Sequence, residues 1–167
     1  MRILIAILAI IGVMGLASCA KKTKTVRKYY GPEVTQVVIS KQHRKMYLLH
    51  HQEVLKSFDV DLGFAPEGPK QFQGDGKTPE GRYHINRRNL RSAFHLSLGI
   101  SYPNVQDIAF AKAQGRKPGG DIFIHGARRK QDPEGPDWTA GCISVSNQEI
   151  EEIWLMVRDG TTVDILP

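Results

Sequence analysis

The sequence predicts a β-rich fold, mainly strands with two helices, in one domain over residues 34–167. Three observations carry that reading. Short runs rich in Val, Ile, Leu, Phe and Tyr recur with Gly, Pro and polar residues between them. Helical spacing of apolar residues is confined to two stretches. No internal repeat divides the segment, and its size suits a single core.

Taken in order, Thr35–Ser40 (TQVVIS) and Arg44–His50 (RKMYLLH) read as strands joined by a short polar turn. Glu53–Leu62 alternates apolar and polar residues and makes a third. Gly63 to Thr78 is rich in Gly, Pro and charge, so a long functional or mobile loop is expected. Gly81–Ile85, Phe94–Leu98, Asp121–His125 and Thr161–Leu166 supply the remaining strands. Asn104 to Gln114 predicts the first helix, with Val105, Ile108, Ala109 and Lys112 along it and Gly115 as its stop. The second helix is better marked. Ser146 and Glu149 form a capping box, Ile150, Ile153, Trp154 and Val157 make one apolar stripe, and Gly160 ends it.

The N-terminus has the layout of an export signal. Met1-Arg2 is a short positive region, Ile3 to Gly15 is almost wholly apolar, and small residues follow. The apolar run is too short to span a bilayer comfortably. Leu16-Ala17-Ser18-Cys19 resembles the bacterial lipobox, which implies cleavage before Cys19 and its acylation. Residues 1–18 are thus expected to be a lipoprotein signal peptide and 19–33 a lipidated tether. That resemblance implies a cell-envelope protein, lipid-anchored and facing the periplasm, with Ala20 permitting sorting to an outer membrane. Cys142 is then the lone thiol of the mature chain, in an oxidising compartment where a leftover thiol is flagged as reactive.

Charge divides the same way. The net of +6 would fit nucleic acid or an anionic surface, but Arg2 leaves with the signal and Lys21, Lys22, Lys24, Arg27 and Lys28 crowd the stem. From Gly31 onward Lys/Arg and Asp/Glu balance at 17 each. The basic tether fits anionic headgroups, at about 1 kcal/mol per residue near the surface. No stacking platform for nucleic acid is evident, and none is expected as a partner.

The chemistry is expected between Ile122 and Asn147. His125 and Gly126 end an apolar strand, and Cys142 follows seventeen positions after His125, behind Gly141 and ahead of Ile143-Ser144-Val145. The intervening loop has turn residues throughout and can bring its ends together. A thiolate attacks carbonyls far better than a thiol, and an adjacent imidazole draws off the proton, keeps an ion pair poised and later protonates the leaving amine. The Gly126 carbonyl is the nearest group to orient the imidazole. Gly141 allows a tight turn that aims amide N–H groups at an oxyanion. A His and a Cys at this spacing are often packing residues; the flanking residues favour the chemical reading.

Those flanks carry a resemblance. His125-Gly126, the loop, and Thr139-Ala140-Gly141-Cys142-Ile143 resemble the L,D-transpeptidase catalytic domain of the YkuD type. Gly76–Tyr83, with its KTPEG turn, and Phe94–Asn104 add to it. The resemblance implies a β-sandwich and a cysteine acyl transferase acting on peptidoglycan stem peptides. Cys142 would form a thioester, resolved by an amine of another stem or of an envelope lipoprotein. Resolution by water would make an L,D-carboxypeptidase or an endopeptidase instead. A tethered, non-catalytic peptidoglycan-binding module is the rival from another class. Ala140 and Ser144 depart from common family residues and bear on acceptor choice and on transfer against hydrolysis.

Substrate contacts are expected from Arg128, Arg129, Thr139 and Tyr102. Ten Lys/Arg against Asp107 and Asp121 lie between Arg82 and Lys130. Arg grips carboxylates bidentately, and stem peptides carry several; a solvated basic face would look the same. His43, His50, His51, His84 and His95 show no metal-ligand spacing, so neither metal nor cofactor is expected. His50-His51 reads as a solvated turn, and His95 as core or cleft.

Overall fold

A computed structural model describes residues 28–167. The expected signal peptide, Cys19 and most of the tether lie outside the described residues. The elements are β1 (Gln36–Ser40), β2 (Lys45–His50), β3 (Glu53–Asp59), β4 (Gly81–Ser92), β5 (His95–Ile100), α1 (Val105–Ala113), β6 (Phe123–His125), β7 (Ile143–Ser144), α2 (Asn147–Met156) and β8 (Thr162–Leu166).

All eight strands form one mixed sheet in the order β3-β2-β1-β8-β4-β5-β6-β7. β1 with β8 and β6 with β7 pair in parallel, and the other neighbours are antiparallel. β4 joins the two halves. Gly81–His84 pair with β8, and the strand beyond, from Ile85, pairs with β5. Past β3 the chain returns to the far edge, where Asp61 bridges Ser144 and Gly63 bridges Thr139.

Strand alternation decides the core. Val37 and Ile39, Met46 and Leu48, and Val163 and Ile165 point inward from the first half; Leu98, Ile100, Ile124 and Ile143 do so from the second. Each such side chain contributes about 1.5–3 kcal/mol by leaving water. Ile150, Ile153 and Met156 of α2 join the same cluster, and α2 packs on β5 and β6. Its capping box closes as expected, Glu149 N–H donating to Ser146 Oγ at 3.2 Å and Ser146 N–H to Glu149 Oε2 at 2.8 Å. No basic residue lies in its last turn; Arg88 of β4 supplies the cation, donating to the Trp154 and Val157 carbonyls and stacking on the Trp154 ring.

Three expectations shift. β3 stops at Asp59 rather than running on to Leu62, because the chain leaves β2 there to bridge Ser144 through Asp61. β4 continues seven residues past Ile85, because backbone pairing with β5 holds the polar Asn86–Ser92 run that shows no apolar alternation. α1 forms, capped by Asn104 and Asp107, but Val105 and Ile108 are exposed and only Ala111 is buried.

Candidate active site

β6 and β7 deliver the two expected reactive residues to one place. Ile124 pairs with Ile143 and His125 with Ser144. Cys142 lies two residues before Ser144, so it falls on the His125 face of the sheet, while Ile124 and Ile143 anchor the opposite face in the core.

His125 is almost wholly buried. Its ring stacks on Phe94 with centroids 4.4 Å apart and meets the edge of Trp138 at 5.6 Å. Nδ1 lies 2.8 Å from the Gly126 carbonyl, which can only accept, so the proton sits on Nδ1 and Nε2 of the neutral ring is left as the base. The Ser144 hydroxyl donates to the same carbonyl at 3.2 Å. Ser144 thus steadies the group that orients the imidazole. Glycine is required at 126, since a Cβ there would come within 2.5 Å of Asn147 Oδ1 and 2.6 Å of the Phe94 carbonyl.

Cys142 is half-buried, and its thiol donates to the Asp121 carbonyl at 3.4 Å. Burial pushes the thiol up, against the opposing amide of Phe123 and the Lys70 charge; Asp121 adds to the rise. Burial also lowers the His125 imidazole below its ordinary value, with the Gly126 carbonyl and Asp132 opposing and Arg129 reinforcing. Both shifts favour the uncharged pair. Desolvation thus outweighs the nearby charges at both groups, which works against the poised ion pair expected from the sequence.

The turn before Cys142 is tightly determined. Gly141 has φ +128°, and a Cβ there would meet the Lys77 carbonyl at 2.5 Å. Its N–H donates to Thr139 Oγ1 at 3.1 Å. An oxyanion therefore has better access to the Cys142 amide, which has no acceptor among the described residues. Thr139 is buried, its hydroxyl 2.7 Å from the Cys142 carbonyl and 3.0 Å from that of Leu62. It braces the turn.

The other nominated residues stand further off. Arg129 forks onto Asp132, at 3.0 and 2.7 Å, and lies over the outer face of Phe94, 4.5 Å from its centroid. Arg128 donates to the Pro133 carbonyl and lines a cleft of about 510 Å³ with Asp59, Asp61, Trp138 and Ser144. Tyr102 is buried, its hydroxyl donating to the Pro118 carbonyl, and it lines a second cleft of about 620 Å³ that reaches Asp121. His95 belongs to neither core nor cleft: exposed, it pairs with Glu151 of α2 at 2.7 Å. His51 sits in the turn after β2 and is exposed. Among the described residues no three His, Cys, Asp or Glu side chains converge to hold a metal ion.

Sequence reasoning missed Phe94, Trp138 and Asp61. Asp61 accepts from the Trp138 indole N–H at 3.2 Å and pairs its backbone with Ser144. Trp138 adjoins the Thr-Ala-Gly-Cys turn and could have been flagged by position. Nothing local marks Phe94, which reaches His125 through the β5–β6 pairing.

Comparison with known proteins agrees with this fold. The family model for the L,D-transpeptidase catalytic domain, YkuD, matches residues 34–165. YafK of Escherichia coli (strain K12), an L,D-transpeptidase by name rather than by demonstrated activity, is 29% identical over 153 residues, covering 86% of this chain and 56% of its own. The helical cell shape determining protein Pgp2 from Campylobacter jejuni has a TM-score of 0.62 at 26% identity, over 82% of this chain and 49% of that one. L,D-transpeptidase 1 of Mycobacterium tuberculosis shares the fold at 15% identity, with a TM-score of 0.51 over 81% and 62% of the two chains. The chain spans about half the length of the first relatives it matches. With the match covering most of the sequence, the chain belongs to the L,D-transpeptidase catalytic domain family.

Proposed function

We propose that this chain is a cysteine acyl transferase of the cell envelope acting on peptidoglycan stem peptides. The observation that carries the reading is a buried histidine, fixed as the Nδ1–H tautomer, on the same sheet face as the half-buried Cys142. As Sγ attacks the carbonyl preceding a D-residue, Nε2 takes the thiol proton. The Cys142 amide faces the oxyanion. The C–N bond then breaks, the imidazolium returns its proton to the leaving amine, and a thioester remains. An acceptor amine attacks that thioester, gives a proton to His125 and regenerates the thiol.

The test is turnover of defined tetrapeptide muropeptides by the full chain in detergent, with products and adducts read by mass. Cys142→Ser should fold and lose nearly all turnover. His125→Gln should lose a comparable amount, and the double variant should be scarcely worse, because base and nucleophile act as a unit. Retained turnover in Cys142→Ser, or an acyl group on another residue, sinks the proposal. Shortened peptides without cross-links, even with excess acceptor amine, would keep Cys142 in its role and make the enzyme a hydrolase. Anchoring through Cys19, with the basic stem against anionic headgroups, belongs to the same reading. It predicts that Cys19→Ala loses partitioning into a detergent phase; unchanged partitioning refutes it.

A further inference from the structure

His125 is held from two sides, and both supports meet at Asp61. On one side stands Trp138, whose ring meets the imidazole nearly edge-on with centroids 5.6 Å apart. Its Nε1–H donates to Asp61 Oδ2 at 3.2 Å. On the other side lies the Gly126 carbonyl, close to Nδ1 at 2.8 Å and accepting the Ser144 hydroxyl at 3.2 Å. Ser144 is tied to Asp61 by a pair of backbone bonds. Asp61 N–H donates to the Ser144 carbonyl at 3.0 Å, and Ser144 N–H donates to the Asp61 carbonyl at 2.9 Å.

The carboxylate serves the site rather than a fold ion pair. Oδ2 takes the indole N–H and Oδ1 takes the Asp137 N–H at 3.4 Å, while the neighbouring Arg44 forks onto Asp137. Asp61 and Trp138 line the cleft of about 510 Å³ together, and His125 lies buried behind the ring. Trp138 is therefore the partition between that opening and the imidazole. An indole fastened at its nitrogen is held against swinging into the opening, and a buried indole N–H needs an acceptor in any case.

We propose that Asp61 is the positioning residue of His125: its carboxylate fixes Trp138 as the wall that shields the imidazole, and its backbone fixes Ser144 behind the carbonyl that orients it. The charged groups acting on the imidazole are Asp132 and Arg129, paired with each other, and Cys142 is the titratable group on the same sheet face. Burial outweighs those charges and lowers the imidazole below its ordinary value. Losing the Asp61 charge alone would disfavour an imidazolium and lower the titration further. Opening the wall would admit water and raise it. The two effects have opposite signs, so they can be told apart. The inference rests on His125 being the base of the proposed reaction.

The experiment is an NMR titration of the His125 ring nitrogens in the full chain, carrying isotope-labelled histidine, in detergent. Muropeptide turnover is measured on the same samples, and the signal is assigned by its loss in His125→Gln. Asp61→Ala should raise the His125 midpoint by about one pH unit and lower kcat about tenfold while KM holds. Asp61→Asn keeps an acceptor for the indole, so it should recover most of kcat, with a midpoint at or below that of wild type. A midpoint that stays or falls in Asp61→Ala overturns the proposal. So does an equal rise in Asp61→Ala and Asp61→Asn, which would mean that the carboxylate does not act by holding the indole. If Asp61→Ala fails to fold, Trp138→Phe decides, because it removes the N–H that Asp61 accepts and keeps a ring in the wall. A raised midpoint there supports the proposal and an unmoved one overturns it. A raised midpoint at full turnover would keep Asp61 as the support of His125 and remove His125 from the reaction, so the base reading alone would fall.

Discussion

Two long connections flank the nucleophile, and in composition they resemble each other. Residues 63–80 and 126–137 are both rich in Gly, Pro and charge. The first turns most of its charges inward. Lys41 reaches in from the end of β1 to the carbonyls of Gly68 and Thr78 and to Glu80, and Lys70 holds Asp75. The second keeps most of its charge at the surface, Arg129 on Asp132 and Arg128 on a carbonyl; its Asp137, at the inner end, is buried against Arg44. What separates them is convergence of acceptors. A lysine is buried where carbonyls and a carboxylate surround it, and composition does not reveal that.

The largest break in this comparison should come from Lys41→Met. It leaves Glu80 mostly buried without its cation and two carbonyls without a donor, and should cost about 3 kcal/mol in urea unfolding. A loss no larger than that of a surface charge change would mean that the first loop is not held by its lysines.

Acid should open the first loop in a way that salt does not reproduce. Burial pushes the Asp75 carboxyl up, but the Lys70 ammonium and the Phe72, Gln71 and Lys77 amides prevail and hold it below its usual value of 3.8. A depressed carboxyl contributes stability above that value and loses it as pH falls through the lower folded one. Hydrogen-exchange protection of residues 70–77 should therefore fall off below about pH 4 and persist in about 0.5 M salt at neutral pH, because buried pairs are poorly screened. The Arg129 guanidinium likewise lowers the Asp132 carboxyl, but the guanidinium of that pair is exposed, so the second loop should loosen in salt as well as in acid. Equal responses to salt would erase the distinction.

The smallest effect should come from Arg129→Gln, which should change stability no more than an ordinary surface substitution. If the paired guanidinium also grips substrate carboxylates, muropeptide KM should rise while kcat holds. Because Arg129 lies over Phe94 and Phe94 stacks on His125, a fall in kcat with KM unchanged would assign it to the histidine instead.

The legible parts of the molecule were those whose signals are local. Ser146 and Glu149 mark α2 because a capping box closes within three residues, and Val37, Ile39, Met46 and Leu48 alternate as buried strands must. His125, Gly126 and Cys142 could be read together because a motif brings them near. The electrostatics could not. Whether a thiol and an imidazole rest charged depends on burial supplied by Phe94 and Trp138, and Phe94 comes from a distant part of the chain. Lys70 was invisible for the same reason. In sequence it is one more charge in a polar loop, and only the fold turns it inward.

β8 is the last of the eight strands in chain order, yet it lies between β1 and β4, near the middle of the sheet. Gln36 pairs with Thr162 across nearly the whole domain. A nascent chain with β1 to β7 already extruded thus holds two partial sheets, each with an open edge that only the final strand can fill. Consolidation waits until β8 emerges, and the contacts that complete it are among the longest in sequence separation, the kind that close slowly. Until then the unpaired edges of β1 and β4 are templates for a foreign strand. A holding chaperone therefore has its longest interval of work on this domain before Thr162–Leu166 emerge.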